Sequence, residues 1–414
     1  MKVDIVTSQK MNRFVILAEE IRRDHATVLP SLIISPPMTL IRNAILITAT
    51  QQLPGALAFS GQRITALQPA SNGHEGHDWQ GDLLLPGLVE LHTDNLEKHL
   101  MPRPKVAWPV IPAIIAHDAQ IAAAGITTVL DAIAVGDIDP DSMRMQTLAS
   151  CVTGLHQAQQ AGILRADHFL HLRLELASQD LLELFEPLVD EPLLRMVSLM
   201  DHTPGQRQWS DFDHYRTFIT GKRGWSDQKV TEMLDGMLER QVRYADVNRR
   251  AVVARCQARP VPVPLASHDD TTSEHVTEGH GDGVMMSEFP TTLLAARAAR
   301  AHGLGIIMGA PNRVRGGSHS GNIAAAELAQ AGLLDVLSSD YVPASLLHAA
   351  FLLQKDGLSL PQAIATVSRN PARLVGLDDR GEITAGLRAD FLRVRVVEGI
   401  PVVLETWKAG VRIA

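Results

Sequence analysis

The stretch DLLLPGLVELHTDNLEKHLMPRP, residues 82–104, carries the first strong structural signal in the chain. An apolar run ends at Pro86 and Gly87, and a short strand then presents His92 and Asp94. Because residues two apart on a strand point to the same face, this imidazole and this carboxylate lie side by side. Both are ligands for divalent ions such as Zn²⁺ and Mn²⁺. A buried hydrogen-bonded pair is the commoner reason for an isolated His-x-Asp, so the motif needs support from the rest of the chain.

Downstream of this stretch, strand-like apolar runs alternate with helical segments. The strand-like runs are GITTVLDAI (125–133), HFLHLRLEL (168–176), LLRMVSLMDH (193–202), VPLASHDD (263–270) and GLGIIMGAP (303–311). Such βα alternation is typical of a parallel sheet. About 250 residues of it, with no G-x-G-x-x-G after the first strand, favour an α/β fold of the (β/α)₈ TIM-like barrel type over a doubly wound sheet.

Both chain ends read differently, as short strands broken by turn residues. We therefore predict a small β-sandwich domain assembled from the two ends. The predicted organisation is an N-terminal extension of unknown role (1–37), a first β part (38–85), the barrel (86–370) and a second β part (371–414).

Composition excludes several classes of protein. The 414 residues carry a net charge of −8, which argues against a broad surface for nucleic acid or anionic membranes. Cys151 and Cys256 are the only cysteines and lie far apart, which excludes a disulfide framework and a cysteine zinc site. No apolar run reaches the roughly 18 residues of a membrane span, and no export signal is apparent. A location in the reducing cytoplasm is the prediction.

Other predicted strands in the barrel region also end in ligand-type residues: Glu175, His202, His268 and Asp340. A barrel gathers its strand ends in one mouth, so these side chains are expected to meet there with His92 and Asp94. Each has a plain structural alternative. Glu175 would pair with Arg173 or Arg195, His202 would cap a loop, and Asp340 would cap the following helix.

The segments PGLVELHTDNLEKHLMPRP (86–104) and NPARLVGLDDRGEITAGLRADF (370–391) resemble the amidohydrolase superfamily, across nearly the whole chain after Met38. Two more, SLMDHTPGQRQ (198–208) and MGAPNRVRGGSHSGN (308–322), are similar to its branch in the carbon–phosphorus lyase pathway of phosphonate catabolism. The resemblance implies metal-dependent hydrolysis of α-D-ribose 1-methylphosphonate 5-triphosphate to the 5-phosphate and pyrophosphate. A C–N bond amidohydrolase of the deacetylase or cyclic-amidase type and a non-catalytic scaffold are the alternatives.

By this resemblance, two divalent ions are expected, with Zn²⁺, Mn²⁺ and Mg²⁺ as candidates. His92 and Asp94 would hold the first ion, Asp94 replacing the second histidine of the usual His-x-His, and Glu175 would bridge the two ions. His202 and His268 would bind the second ion, and Asp340 would complete the site and take the proton of the attacking water. The neighbouring His168, His171, Asp269 and Asp270 stay open as alternative ligands.

A triphosphate substrate requires cationic and hydrogen-bonding groups in the mouth of this acidic protein. Three segments offer them. Their candidate residues are Lys98, His99, Arg103 and Lys105 after the first strand, Gln206 and Arg207 after His202, and Arg313, Arg315, Gly316, Gly317, Ser318, His319 and Asn322 in a glycine-rich loop. Solvated surface charge and a tight turn are the alternatives. A homo-oligomer and association with other enzymes of the phosphonate pathway are left open as partners.

Overall fold

The structure is a computed structural model that describes residues 37–69, 75–103, 106–137, 143–205, 207, 216, 220, 226–318 and 321–414. Its strands, in chain order, are β1 (Met38–Ile47), β2 (Gln52–Ser60), β3 (Arg63–Pro69), β4 (His77–Asp78), β5 (Leu83–Pro86), β6 (Leu88–Thr93), β7 (Ile126–Val135), β8 (Asp167–Glu175), β9 (Leu194–Met200), β10 (Leu265–His268), β11 (Met286–Glu288), β12 (Gly305–Gly309), β13 (Val336–Ser338), β14 (Phe391–Val397), β15 (Ile400–Lys408) and β16 (Val411–Arg412).

The helices follow the same chain order. They are α1 (Asn95–Leu100), α2 (Val110–Ala123), α3 (Met143–Gln160), α4 (Leu181–Phe185), α5 (Asp227–Gln257), α6 (Ser273–Gly281), α7 (Leu293–Ala301), α8 (Ala310–Arg315), α9 (Ala325–Gln330), α10 (Ser345–Leu352), α11 (Leu360–Ala365) and α12 (Arg369–Leu374), with a 3₁₀ helix at Leu353–Asp356.

The eight strands β6 to β13 pair in sequence order, each parallel to the next. Between the first and last strands, Thr93 forms a parallel bridge with Asp340, and the amide of Asp340 donates to the carbonyl of His92. The buried carboxylate of Glu90 accepts the hydroxyl of Ser338 and the amide of Ser339 across the same seam. These bonds close the sheet, and the predicted (β/α)₈ barrel is confirmed.

Side chains inside the barrel change character along its axis. One layer is apolar and contains Val89, Leu130, Met196, Met286 and Ile307. Nearer the carboxyl ends of the strands the buried interior residues are polar: His171, Ser198, His268 and Glu288. A polar layer at this end is expected for a site built on strand ends.

The remaining eight strands form one sheet, in the order β16-β15-β14-β5-β1-β2-β3, with β4 beside β1. It joins residues from both chain ends, as predicted. It curls over an aromatic core of Phe59, Trp79 and Phe391, with Trp407 packed against them. The sheet contacts the amino ends of the barrel strands, because Arg380, Arg388 and Lys408 all bind the Asp167 carboxylate at the start of β8. It therefore lies away from the mouth.

Residues Met38–Ala414 form one compact unit. The boundaries predicted at 85/86 and 370/371 stay a prediction, and the extension lies outside the described residues except for Pro37. Among the described residues, none of the helices combines the length and apolar character that crossing a bilayer requires.

Candidate metal centre and active site

A cavity of about 230 Å³ opens at the carboxyl ends of the barrel strands. Four of the six predicted metal ligands line it: His92, His202, His268 and Asp340. The other two, Asp94 and Glu175, form hydrogen bonds with residues that line it. Asp94 immediately precedes α1, where its amide donates to the carbonyl of Asp340, and Glu175 ends β8 and binds His202.

Three residues at this end of the barrel have a strained backbone. Asp269 follows β10, Phe289 follows β11 and Asp340 lies two residues after β13. All three have positive φ, at 54°, 55° and 53°. Non-glycine residues rarely adopt this conformation, and it persists only where the surroundings enforce it. All three side chains line the cavity, so the strain is stored where the strand ends must aim side chains inward.

Glu288, at the end of β11, organises two of the predicted ligands and was not predicted from the sequence. Its carboxylate lies 2.6 Å from Nδ1 of His92 and 2.8 Å from Nδ1 of His268. Burial raises the pKa of Glu288, but the neighbouring His92 and His171 and the hydrogen bonds hold it well below its usual range. The carboxylate therefore stays ionised and fixes both rings with their Nε2 atoms left for other partners.

Glu175 plays the same part for His202. Its Oε2 lies 2.6 Å from Nδ1 of His202, and its Oε1 accepts the His202 amide. Burial lowers the pKa of His202. The charge and hydrogen bond of Glu175, with the charge of Asp269, outweigh burial, so the pKa is raised overall. The ion pairs of Glu175 with Arg173 or Arg195, which were the structural alternatives, are absent from the described part of the chain.

Three groups of histidines and acids lie close enough to share a cation. In the first, His92, His171 and Glu288, the atoms of His171 are already used. Its Nδ1 donates to the Leu91 carbonyl and its Nε2 meets the Ser198 hydroxyl. Burial lowers the pKa of His171 to about 3, which keeps the ring neutral. This group is a scaffold inside the barrel.

The second group lies outside the barrel, between β7, β8 and α2. Asp131 accepts hydrogen bonds from His117 and His168, and His168 also meets Asp118. The remaining nitrogen of His117 accepts from Asn95. Since every ring nitrogen has a partner, this group is a structural network, and His168 does not reach the mouth.

The third group contains His202, His268 and Asp269, and one nitrogen of each ring is left for a cation. His202 and His268 use Nδ1 for a carboxylate, and their Nε2 atoms lie 4.0 and 3.6 Å from Oδ2 of Asp269. Two imidazole nitrogens and a carboxylate suit a divalent cation such as Zn²⁺ or Mn²⁺. Asp94 adds a second observation, because its Oδ1 is buried without a hydrogen-bond partner. Such an orphaned acceptor is costly unless a cation satisfies it. The residues present therefore fit a divalent metal.

Asp340 lies among these ligands. Burial raises its pKa, with smaller opposing effects from His92 and others, and Asp94 adds to the rise. Its position after β13 and its left-handed backbone direct the carboxyl into the cavity. The N-cap of the following helix is Ala344, so Asp340 does not cap that helix.

The glycine-rich loop supplies part of the cavity wall. Arg315, Gly317 and Ser318 line it together with Asn312 and Asn322. Gly316 ends α8 in the left-handed conformation, at φ 85°, which a residue with a side chain rarely adopts. His319 lies outside the described residues.

Two predicted phosphate ligands point elsewhere. The Arg313 guanidinium binds both carboxylate oxygens of Asp356 and the carbonyl of Leu352. Arg207 is buried and donates to the carbonyl of His268 and to Asp270. Each charge is neutralised by a structural carboxylate, so these contacts give no support to the prediction that Arg207 and Arg313 bind phosphate. The carboxylate of Asp270, which was left open as an alternative ligand, binds Arg207 and the hydroxyls of Ser267 and Ser287.

The segment after the first strand contributes little to the cavity wall. The Lys98 ammonium lies 2.5 Å from the carbonyl of Tyr341 and 4.6 Å from the centre of its ring, so it braces a residue that lines the cavity. Arg103 is exposed, and His99 binds Gln120. Lys105 and Gln206 lie outside the described residues.

Comparison with known sequences adds two findings. The model of the amidohydrolase family, Amidohydro_3, matches residues 113–413. The α-D-ribose 1-methylphosphonate 5-triphosphate diphosphatase of Escherichia coli K12 is 45% identical over 378 residues, which cover 90% of this chain and 100% of that protein.

Solved structures resemble the chain over most of its length. Dihydropyrimidinase from Brevibacillus agri NCHU1002 has a TM-score of 0.58 at 13% identity, covering 91% of this chain and 95% of that one. N-acetyl-D-glucosamine-6-phosphate deacetylase from Mycobacterium smegmatis has a TM-score of 0.59 at 16% identity, covering 91% and 100%. At such identities the likeness shows the fold alone.

Proposed function

The chain belongs to the amidohydrolase family, and we propose that within it the protein is a metal-dependent diphosphatase. Its proposed substrate is α-D-ribose 1-methylphosphonate 5-triphosphate, which water cleaves to the 5-phosphate and pyrophosphate. The observation that carries the proposal is the 45% identity with the E. coli diphosphatase, which extends over that protein's whole length.

The proposed metal site uses two groups of side chains. His202, His268 and Asp269 would hold one divalent ion, and His92, Asp94 and Asp340 a second. Zn²⁺, Mn²⁺ and Mg²⁺ are the candidate ions. When bound, such ions supply Lewis acidity toward water and phosphoryl oxygens. Glu175 and Glu288 would act through the histidines, by fixing the rings of His202, His92 and His268.

Asp340 is the proposed general base. A carboxyl whose pKa is raised by burial is a stronger base than an ordinary aspartate, which suits the removal of a proton from water. The water oxygen would form a bond to the phosphorus next to the ribose, and the bond from that phosphorus to the bridging oxygen would break. Pyrophosphate leaves with the bonding pair, and the proton passes to Asp340.

The charge of the cavity supports an anionic substrate over a neutral amide. Arg315 and the amide of Asn322 line it beside Gly317, whereas Asn312 donates its amide to the Ile323 carbonyl. Guanidinium and amide groups are the usual donors to phosphate oxygens. Cys151 and Cys256 are buried and unpaired, in keeping with the proposed location in the reducing cytoplasm.

A turnover assay tests the proposal. Protein loaded with Mn²⁺ or Zn²⁺ would receive the ribose triphosphate and, separately, a panel of amides and cyclic amides. We expect one pyrophosphate per substrate consumed and no amide cleavage. Asp340→Asn, which keeps the shape of the side chain, should lose at least about 100-fold in kcat even when measured at saturating metal, as for loss of a general base. Amide turnover alone, or Asp340→Asn at full activity, would contradict the proposal.

A further inference from the structure

Arg173 on β8 stands out among the described arginines. Its half-buried side chain lines the cavity, yet no hydrogen bond or ion pair forms to it within the described part of the chain, and its Nε is buried without a partner. Two of the arginines predicted to bind phosphate are by contrast neutralised, Arg207 by Asp270 and Arg313 by Asp356. A guanidinium withdrawn from water without a counter-ion is costly.

Its neighbours make the position still less favourable. Inward-pointing residues alternate along β8, so Arg173 lies between His171 and Glu175 on the face that looks into the barrel. Glu175, the nearest carboxylate in sequence, is occupied by His202. The charge of Arg173 acts unfavourably on His92 and His202 and favourably on the Asp340 carboxylate, but it forms no ion pair with Asp340. A fixed cation beside a cation site weakens metal binding unless an anion joins them.

From this geometry we infer that Arg173 binds an oxygen of the phosphoryl group that lies against the metal ligands. The inference rests on the proposed function and adds a substrate contact to it. A guanidinium offers a planar pair of donors that matches two phosphoryl oxygens, and the phosphoryl charge supplies the missing counter-ion. Arg315 is exposed, so the deeper Arg173 is assigned to the reacting end of the polyphosphate.

The test measures binding of pyrophosphate alone to Mn²⁺-loaded protein by titration calorimetry, because without the sugar one of its phosphoryl groups takes the place of the reacting group against the metal ligands. Arg173→Met should weaken pyrophosphate binding by about 10- to 100-fold, the loss expected for a charge-assisted hydrogen bond in a dry site. Arg173→Lys keeps the charge without the paired donors and should fall between. Arg195→Met is the matched control, because it removes a half-buried guanidinium from the amino end of β9 and should leave pyrophosphate affinity unchanged.

Metal affinity separates a binding role from a structural one. Arg173→Met removes a like charge next to the ligands, so it should bind Mn²⁺ at least as tightly as the wild type. Wild-type pyrophosphate affinity in Arg173→Met would overturn the inference, and so would a joint loss of Mn²⁺ affinity and melting temperature in both Arg173 variants. If the wild type fails to hydrolyse the ribose triphosphate but binds pyrophosphate through Arg173, the proposed function fails and this inference stands.

Discussion

Replacing Glu288 with glutamine probes how the histidines are held. The change keeps the shape of a fully buried side chain and removes the charge that faces Nδ1 of His92 and Nδ1 of His268. Partners of this kind contribute about 10- to 100-fold in metal affinity. Because one carboxylate serves two ligands, we expect the upper end, a loss of about 100-fold or roughly 2.7 kcal/mol.

The assay is competition for Mn²⁺ or Zn²⁺ against a chelator of known affinity, followed by activity against metal concentration. Glu288→Gln should need about 100-fold more free metal for half activity and should recover most of its kcat when saturated. Glu183→Gln makes the same chemical change on the exposed face of α4 and serves as the control. Wild-type metal affinity in Glu288→Gln would refute the view that Glu288 orients both rings.

Three buried contacts give the remaining predictions. Burial lowers the pKa of His168, but the Asp131 carboxylate and others raise it to about 9, so the stabilisation is complete below pH 6.5 and is lost as pH rises through 9. The shift contributes roughly 3 kcal/mol to the free energy of unfolding. His168→Gln should therefore flatten the fall in melting temperature between pH 7 and pH 9, and an equal fall in the variant and the wild type would contradict the assignment. Asp94→Asn should lower metal affinity yet raise the melting temperature of metal-free protein by about 2 to 4 °C, since the negative charge on a half-buried side chain with one buried, unpartnered oxygen is removed; a lower melting temperature would count against it. Gly87→Ala places a methyl group against the Thr127 side chain and should cost about 1 to 3 kcal/mol in thermal unfolding, whereas Gly281→Ala, with no neighbour within 4 Å, should not.

Strand ends were the most predictable part of the site. The runs that became β6, β8, β9 and β10 are long or strongly apolar, and a barrel must bring their last residues into one mouth. Periodicity and fold class together therefore placed His92, His202 and His268 at the cavity that they line, and their role as metal ligands stays a prediction. Asp340 could be found because it follows the apolar run of β13, although that strand has only three residues.

Glu288 was not predicted as a site residue because β11 is a three-residue strand that is followed at once by a helical pattern. A run of one methionine, one serine and one glutamate has no detectable period. The directions of the Arg207 and Arg313 side chains could not be predicted for another reason. Proximity along the chain placed Arg207 and Arg313 near the mouth, but the direction of a long side chain depends on which carboxylate the fold presents, here Asp270 and Asp356.

Arg173 shows the converse case. An ion pair with Glu175 was only the structural alternative for this residue, and it does not form because Glu175 binds His202 instead. Glu175 is held by His202, which follows the end of β9 and is 27 residues away in sequence. Only the three-dimensional arrangement shows that a cation was left without a counter-ion in the cavity.

The central claim is hydrolysis at the phosphorus next to the ribose, and oxygen labelling tests it most directly. Metal-loaded protein would hydrolyse α-D-ribose 1-methylphosphonate 5-triphosphate in ¹⁸O-water, with products followed by phosphorus NMR and mass spectrometry. We predict label in the sugar 5-phosphate and unlabelled pyrophosphate. Labelled inorganic phosphate released stepwise from the end of the chain would contradict the account.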